Sequence, residues 1–208
     1  MKRFVYCSVV VALLAIAIPI SATVIPPFTQ SPGLAPDMVG GLPTGNVVAD
    51  TGAVFFHFGT PGDPNKNTGY VDEAVFQDAN TGFLSFVFQI LVLTGDIKTI
   101  SIGDWDNSIF IDAHMTPNTG TLAPQGVDRN GFGTVGINFN PLVTSGITSY
   151  AVILETQSTA FIDGGIGLID TGSSPTIPGF VAVATPEPAT LSLLGFGLLG
   201  LGTLRKRR

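Results

Sequence analysis

Short apolar runs alternate with glycine- and asparagine-containing turns along the middle of this chain. No stretch there keeps the 3.6-residue period of an amphipathic helix, and the runs are rich in β-branched and aromatic residues, which favour strands. The intervening turns supply residues that tolerate a positive φ. We expect such turns at residues 67–69, 80–82, 94–96, 118–120 and 130–131. We expect strands at residues 53–58, 74–76, 83–93, 99–102, 109–114, 134–139, 149–155, 161–169 and 180–183.

Nine short strands without a helix predict an all-β domain, and we expect an antiparallel β-sandwich of the jelly-roll or Ig-like kind. Residues 83–93 are apolar on both faces, which is typical of a central strand covered on both sides. Residues 99–102 alternate and predict a half-buried neighbour of that strand. The 15 Phe and the single Trp105 are expected to fill the core.

The N-terminus has the pattern of a secretory signal peptide. Lys2 and Arg3 precede an apolar stretch at residues 4–20, and a small residue, Ala22, offers a cleavage point. Cys7 precedes most of the apolar stretch, so no lipid anchor is expected. We therefore predict a helical signal peptide at residues 1–22, followed by a Pro/Gly-rich segment at 23–46 that is either a leader or an irregular first edge of the β domain. The β passenger itself is expected at 47–184.

The C-terminus has three consecutive parts that belong together. A short motif, Pro186-Glu187-Pro188, precedes an uncharged apolar helix at residues 189–204, and the basic cluster Arg205-Lys206-Arg207-Arg208 ends the chain. At about 1.5 Å per residue the apolar helix spans roughly 24 Å, less than the ~30 Å of a bilayer core. The pattern predicts a marginal transmembrane helix with its basic end in the cytosol.

This tail, residues 185–208, resembles the PEP-CTERM sorting signal of Gram-negative bacteria, which is also described as the ice-binding protein C-terminal domain. The resemblance implies that an exosortase of the inner membrane recognises Pro186, Glu187 and Pro188. The short apolar helix favours a transient membrane span, and a permanent tail anchor is the alternative. The middle of the chain is similar to the extracellular β domains that such proteins often carry. The implied destination is the cell surface or the extracellular matrix, in an exopolysaccharide or biofilm setting.

Charge is segregated along the chain in a way that fits export. The segment 23–187 contains all 15 acidic residues but only Lys66, Lys98 and Arg129 as basic ones, a net charge of 3 − 15 = −12. The two basic ends favour the cytosolic side, so the acidic passenger between them should be translocated. Such a surface excludes nucleic acid as a partner.

One pair of motifs resembles the two catalytic loops of aspartic proteases. Asp50-Thr51-Gly52 and Asp170-Thr171-Gly172 each follow an apolar run. Two aspartates that share one proton can activate water. However, Asn-Thr-Gly occurs at three other places in the passenger, so the motif is also explained as an ordinary turn. We expect no enzymatic activity and keep a secreted, aspartic-protease-like hydrolase as an alternative.

Clusters of oxygen ligands suggest calcium as the one candidate cofactor. The first cluster does not match the spacing of an EF-hand, and solvated acidic turns are the favoured explanation of both clusters. The first cluster contains Asp63, Asn65, Asn67, Asp72 and Glu73, and the second contains Asp104, Asp106, Asn107 and Asp112. His57 and His114 have neither cysteine partners nor paired spacing, so no zinc site is expected from them.

The sequence thus predicts an exported surface protein with a structural or adhesive role. A calcium-dependent glycan-binding module is a second alternative. Sugar binding would use a few exposed aromatic residues, with Tyr70, Trp105 and Tyr150 as the candidates.

Overall fold

The computed structural model describes residue 25 and residues 29–60, 63–170 and 175–184, and this part of the chain contains strands and no helix. The predicted signal helix and transmembrane helix lie outside the described residues. The strands are β1 (Thr29–Leu34), β2 (Asp37–Met38), β3 (Asn46–Asp50), β4 (Val54–Thr60), β5 (Asp63–Gln77), β6 (Leu84–Thr94), β7 (Asp96–Ile102), β8 (Ile111–Thr116), β9 (Gly126–Arg129), β10 (Val135–Thr144), β11 (Ala151–Thr156), β12 (Ala160–Ile169) and β13 (Thr176–Val183).

The strands form two sheets. The six-stranded sheet has the order β1-β9-β10-β7-β12-β13. The seven-stranded sheet has the order β2-β8-β11-β6-β5-β3, and β4 pairs with β5 beside that path. The pairing of β2 with β8 is parallel, and the other pairings between these strands are antiparallel. The expected all-β architecture is confirmed, whereas the choice between jelly-roll and Ig-like topology stays a prediction.

A single hydrophobic core lies between the two sheets. Alternate residues of β6, such as Phe86 and Phe88, meet Ile100 of β7 and Ile137 of β10 in one cluster of fully buried side chains. Trp105 is 2% exposed and packs edge-on against Phe86, with ring centroids 5.0 Å apart. Burial of each large apolar side chain contributes about 1.5–3 kcal/mol, so this shared core holds the two layers together.

Strand β6 has the central position that its apolar sequence predicts. It lies between β11 and β5, and its core-facing residues alternate with Val87, which is buried on the opposite face. There Val87 packs with Ile153, and Val39 from the N-terminal segment packs against them. Both faces of the middle of β6 are therefore covered, as a strand without polar alternation requires.

The turn at residues 94–96 connects the two sheets, which the sequence does not indicate. Gly95 has a φ of 78°, the left-handed conformation expected of a glycine turn. However, the chain passes from one sheet to the other at this turn, because β6 and β7 belong to different sheets. Residues 99–102 have the expected alternating burial, but they belong to β7 of the other sheet and do not pair with β6, since periodicity reports which face is buried and not which sheet the strand joins.

Strand β5 includes residues for which the sequence predicts a turn. Residues 67–69 continue the strand through a register shift between Thr68 and Gly69, and the turn expected there was wrong. Pairing with β4 on one side and β6 on the other satisfies the backbone of this polar segment and overrides its turn propensity.

The Pro/Gly-rich segment supplies edge strands to both sheets. β1 pairs with β9 at one edge of the six-stranded sheet, and β2 pairs with β8 at one edge of the seven-stranded sheet. Parts of this segment, β1 and β2, thus lie at edges of the two sheets.

Candidate binding face and acidic histidine cluster

The outer face of the seven-stranded sheet carries a groove of about 560 Å³. Cross-strand register places four of its lining residues in one row, since Phe76 of β5 lies opposite Ser85 of β6, Ser85 opposite Glu155 of β11, and Glu155 opposite Asp112 of β8. Directly opposed residues project from the same face of a sheet, with neighbouring strands about 4.8 Å apart. Four strands thus combine an aromatic ring, a hydroxyl and two carboxylates in one row.

Loops complete the groove with further aromatic rings. Phe83 precedes β6 and Phe110 precedes β8, and each is 39% exposed. Pro43 and Thr44, from the segment between β2 and β3, line it as well. The groove therefore combines accessible apolar rings with polar groups, which is the usual composition of a small-molecule or saccharide site.

A histidine lies beside the two carboxylates of this row. His114 is two residues from Asp112 on β8, so both side chains project from the same face of the strand. The Nε2 atom of His114 is 3.3 Å from Oδ2 of Asp112 and 3.7 Å from Oε2 of Glu155. Asp37 of β2 is paired with His114 across the strands and adds a third acidic group to the cluster.

The pKa values of His114 and Asp112 are both raised in this cluster, for different reasons. The pKa of His114 is raised by its interaction with Glu155 and then by the charges of Asp112 and Asp37, against the opposing effect of burial. At 3.7 Å the Glu155 contact has the geometry of an ion pair and not of a hydrogen bond, and the Asp112 oxygen lies nearer, at 3.3 Å. The pKa of Asp112 is raised chiefly by burial, which His114 partly offsets.

Two buried polar atoms of the cluster have no hydrogen-bond partner among the described residues. They are Oδ1 of Asp112 and Nδ1 of His114, and their residues are only 8% and 7% exposed. Buried polar atoms are nearly always paired, so an unpaired carboxylate oxygen and an unpaired imidazole nitrogen in one cluster require an explanation.

A second, smaller cavity of about 290 Å³ lies on the same outer face. Tyr70 and Asp72 of β5 line it together with Gln89 and Leu91 of β6. Phe55 of β4 packs edge-on against Tyr70, with ring centroids 5.4 Å apart. Of the three aromatic candidates from the sequence, Tyr70 is exposed, Tyr150 is half-buried, and Trp105 is buried in the core.

The two aspartates of the protease-like motifs have different surroundings. Asp50 is exposed, accepts a hydrogen bond from the Gly52 amide at 2.6 Å, and lies opposite Ala74 of β5. Asp170 is buried and accepts a hydrogen bond from the Asn67 side chain at 2.7 Å. Asn67, which contacts Asp170, and Ala74, which lies opposite Asp50, are seven residues apart on β5. At ~3.3 Å per residue, this separates the two sites along the strand by roughly 23 Å. The structure therefore does not bring the two carboxylates together to share a proton.

The first calcium candidates lie along strand β5 instead of around a loop. Asp63, Asn65, Asn67, Asp72 and Glu73 all fall within Asp63–Gln77. Asp72 is exposed, whereas the adjacent Glu73 is buried on the opposite face. Neighbouring residues of an extended strand project to opposite faces, so Asp72 and Glu73 cannot bind one ion together.

The residues of the second group of calcium candidates make separate local contacts. Asp106 accepts hydrogen bonds from the backbone and hydroxyl of Ser108, which lower its pKa, and Asn107 donates to the Gly131 carbonyl. Asp104 is exposed, with a φ of 64°. Of this group, Asp112 alone belongs to the acidic histidine cluster, which consists of Asp112, His114, Glu155 and Asp37.

Sequence reasoning included Asp112 but missed Glu155, Phe83 and Phe110 as site residues. The spacing Asp-x-His within a predicted strand is a signal that could have placed Asp112 and His114 on one face. Nothing in the sequence relates them to Glu155, which lies 43 positions beyond Asp112 and meets it through the pairing of β8 with β11.

The described residues define an all-β domain with two cavities on one outer sheet face, and no helix among them is long and apolar enough to cross a membrane. The PEP-CTERM protein-sorting motif matches residues 184–208, so the chain carries this sorting domain. The motif implies an exosortase-sorted protein of the cell surface or extracellular space. Comparisons with curated proteins and with solved structures gave no match. The motif residues Pro186, Glu187 and Pro188 and the basic cluster 205–208 lie outside the described residues.

Proposed function

We propose that this protein is an exported adhesin that binds exopolysaccharide through the outer face of its seven-stranded sheet. The observation that carries the proposal is the groove in which the exposed rings of Phe83 and Phe110 flank a row of polar groups. Aromatic rings stack against the apolar faces of sugar rings, and nearby polar groups accept or donate hydrogen bonds to the hydroxyls.

The size of the binding face favours a polymer over a single sugar. Phe76 in the groove and Tyr70 in the second cavity lie six residues apart on the same face of β5. Six residues of strand extend about 20 Å. A saccharide chain that crosses both cavities would gain contacts at both ends, and such multivalent contact suits a matrix component.

Charge narrows the class of polysaccharide. The segment 23–187 has a net charge of 3 − 15 = −12, and the groove itself contains Asp112 and Glu155. Such a surface repels polyanions at low ionic strength. A neutral or amino-sugar polymer is therefore the proposed ligand.

The structure gives no support to the two alternatives. The separation of Asp50 from Asp170 does not favour a hydrolase, and the separation of the calcium candidates does not favour a calcium-dependent glycan-binding module.

Affinity electrophoresis of the protein through gels that contain neutral, acidic or amino-sugar polysaccharides tests this proposal. We expect retardation in the neutral or amino-sugar gels, and we expect Phe83→Ala and Phe110→Ala each to weaken binding about five- to tenfold, since an aromatic contact is worth about 1 kcal/mol or more. Phe132→Ala is the matched control because Phe132 is 92% exposed and does not line the groove. Equal retardation of all three variants would refute the groove as the binding site.

A further inference from the structure

We propose that Asp112, His114 and Glu155 form a binding site for a divalent transition-metal ion, with Zn²⁺ as the representative ion. The three side chains each offer one ligand atom, and these atoms all lie within 4.8 Å of one another. The inference goes beyond polysaccharide binding and does not depend on it.

The spacing of the ligand atoms suits one shared ion. Two atoms bound tetrahedrally at about 2.1 Å from the same zinc ion lie roughly 3.4 Å apart. The distances from Nε2 of His114 to the carboxylate oxygens of Asp112 and Glu155 are 3.3 Å and 3.7 Å. Both exceed the 2.7–2.9 Å of a charge-assisted hydrogen bond. The His114 nitrogen is thus separated from each carboxylate oxygen by about the distance expected between two ligands of one zinc ion.

Burial supplies an independent reason for a cation. Asp112 and His114 are only 8% and 7% exposed, and Oδ1 of Asp112, on the carboxylate whose Oδ2 lies 3.3 Å from Nε2 of His114, lacks a hydrogen-bond partner among the described residues. A buried carboxylate without adequate partners is costly, and buried charges are usually paired or bound to a metal. Asp112 also lines the groove, which gives an ion a route from solvent.

The kind of ligand selects the kind of ion. Imidazole nitrogen suits zinc and other first-row transition metals, whereas calcium prefers six to eight oxygen ligands. One imidazole and two carboxylates match the ligand types of zinc sites, and Asp37, paired with His114 across the strands, adds negative charge nearby. Three protein ligands would leave a fourth tetrahedral position open, and two of the three, Asp112 and Glu155, line the groove.

The sheet holds the ligands in place. Asp112 and His114 belong to β8, and Glu155 lies directly opposite Asp112 on β11. Both strands are interior members of the seven-stranded sheet. Ligands on paired interior strands need little ordering when the ion binds.

The test is isothermal titration calorimetry. The full-length protein, in mild detergent, is first treated with a chelator to remove bound metal and is then titrated with ZnCl₂. All proteins carry Cys7→Ser, because Cys7 is the only cysteine of the chain and would itself attract zinc. We expect one zinc ion per chain and a higher melting temperature with zinc. CaCl₂ should give neither effect.

Variants separate this site from adventitious binding. Glu155→Gln should lower the affinity for zinc about tenfold or more, and its half-exposed side chain makes the substitution mild for folding. His114→Gln should abolish binding, whereas His57→Gln, a matched change at an exposed histidine, should leave it unchanged. Absence of binding heat in the parent protein, or equal zinc affinity in the His57 and His114 variants, would overturn the proposal.

Discussion

The Glu73 carboxyl group accepts a hydrogen bond from the backbone amide of Phe180 at 2.8 Å, and this bond links β5 of one sheet to β13 of the other. The second carboxyl oxygen, Oε1, is buried without a partner among the described residues. Gly179 makes room for the contact, because a Cβ atom there would lie 2.7 Å from Oε2. A titratable group thus links the two sheets.

We predict that the protein loses stability as the pH rises from about 4.5 to 8 because of Glu73. Burial raises the pKa of Glu73 from 4.5 to about 8, and the hydrogen bond from Phe180 opposes only part of that rise. In this window the folded protein retains a proton that the unfolded chain has lost, so the free energy of unfolding falls by up to about 1.4 kcal/mol per pH unit. Below about pH 4.5, Glu73 is protonated in both the folded and the unfolded protein, and the full stability that the neutral carboxyl group allows is present.

Urea denaturation of Glu73→Gln at several pH values measures this effect. Glutamine keeps an acceptor for Phe180 and does not titrate, so the free energy of unfolding should vary less between pH 5 and 8 than in the parent. Asp163→Asn, at an exposed position of β12, is the control and should retain the parent slope. A parent slope in Glu73→Gln would show that other groups cause the pH dependence.

Asn67→Ala should destabilise the fold by about 2 kcal/mol or more. The Asn67 side chain donates to Asp170 at 2.7 Å and accepts from the Asp96 amide at 2.9 Å, so it joins β5 to the β6–β7 turn and to the end of β12. Its removal leaves buried polar groups without these bonds, at about 1–3 kcal/mol each. Asp50→Asn, at an exposed position, should change the unfolding free energy by less than about 0.5 kcal/mol.

The same aspartates provide a test of catalysis. Because Asp50 and Asp170 lie in different surroundings, we expect no pepstatin-sensitive peptide cleavage at acid pH by the purified protein. Cleavage that is abolished by either Asp50→Asn or Asp170→Asn would contradict this expectation and would support the hydrolase alternative.

Arg129→Lys should weaken both the fold and the proposed binding groove. The buried guanidinium donates to the carbonyl groups of Ile109 and Asp106, each at 2.6 Å, and so anchors the loop that leads to Phe110. A lysine cannot reproduce this fork of two hydrogen bonds. We expect a loss of about 1–3 kcal/mol in urea denaturation and weaker retardation in polysaccharide gels. Lys98→Arg, at an exposed position of β7, is the charge-conserving control and should change neither measurement.

Deletion of residues 185–208 should abolish exosortase-dependent delivery without unfolding the passenger. Strand β13 ends at Val183, which lies opposite Ala160 of β12, so the truncation leaves this edge strand intact. In a host that possesses an exosortase, cell fractionation should find the full-length passenger at the surface or in the medium, and the truncated one in the periplasm. Replacement of Pro186, Glu187 and Pro188 by alanine should have the same effect as the deletion. Normal delivery of either variant would exclude the tail as the sorting signal.

The prediction of the central strand succeeded because its evidence is local. Residues 83–93 are apolar on both faces, and a strand with that pattern must be covered on both sides, as β6 is. The prediction at residues 67–69 failed because Asn-Thr-Gly has the propensity of a turn, whereas pairing with two neighbouring strands satisfies its backbone within β5.

The sequence by itself determined the all-β class and the sorting motif, because residue periodicity, turn chemistry and a contiguous tail are local properties of the chain. The tertiary structure decided which sheet each strand joins and which side chains meet. Asp112 and Glu155 are 43 positions apart, and only the register between β8 and β11 places them opposite each other beside His114. Strand register depends on the packing of the whole core, so a site built across strands becomes visible only when the sheets have formed.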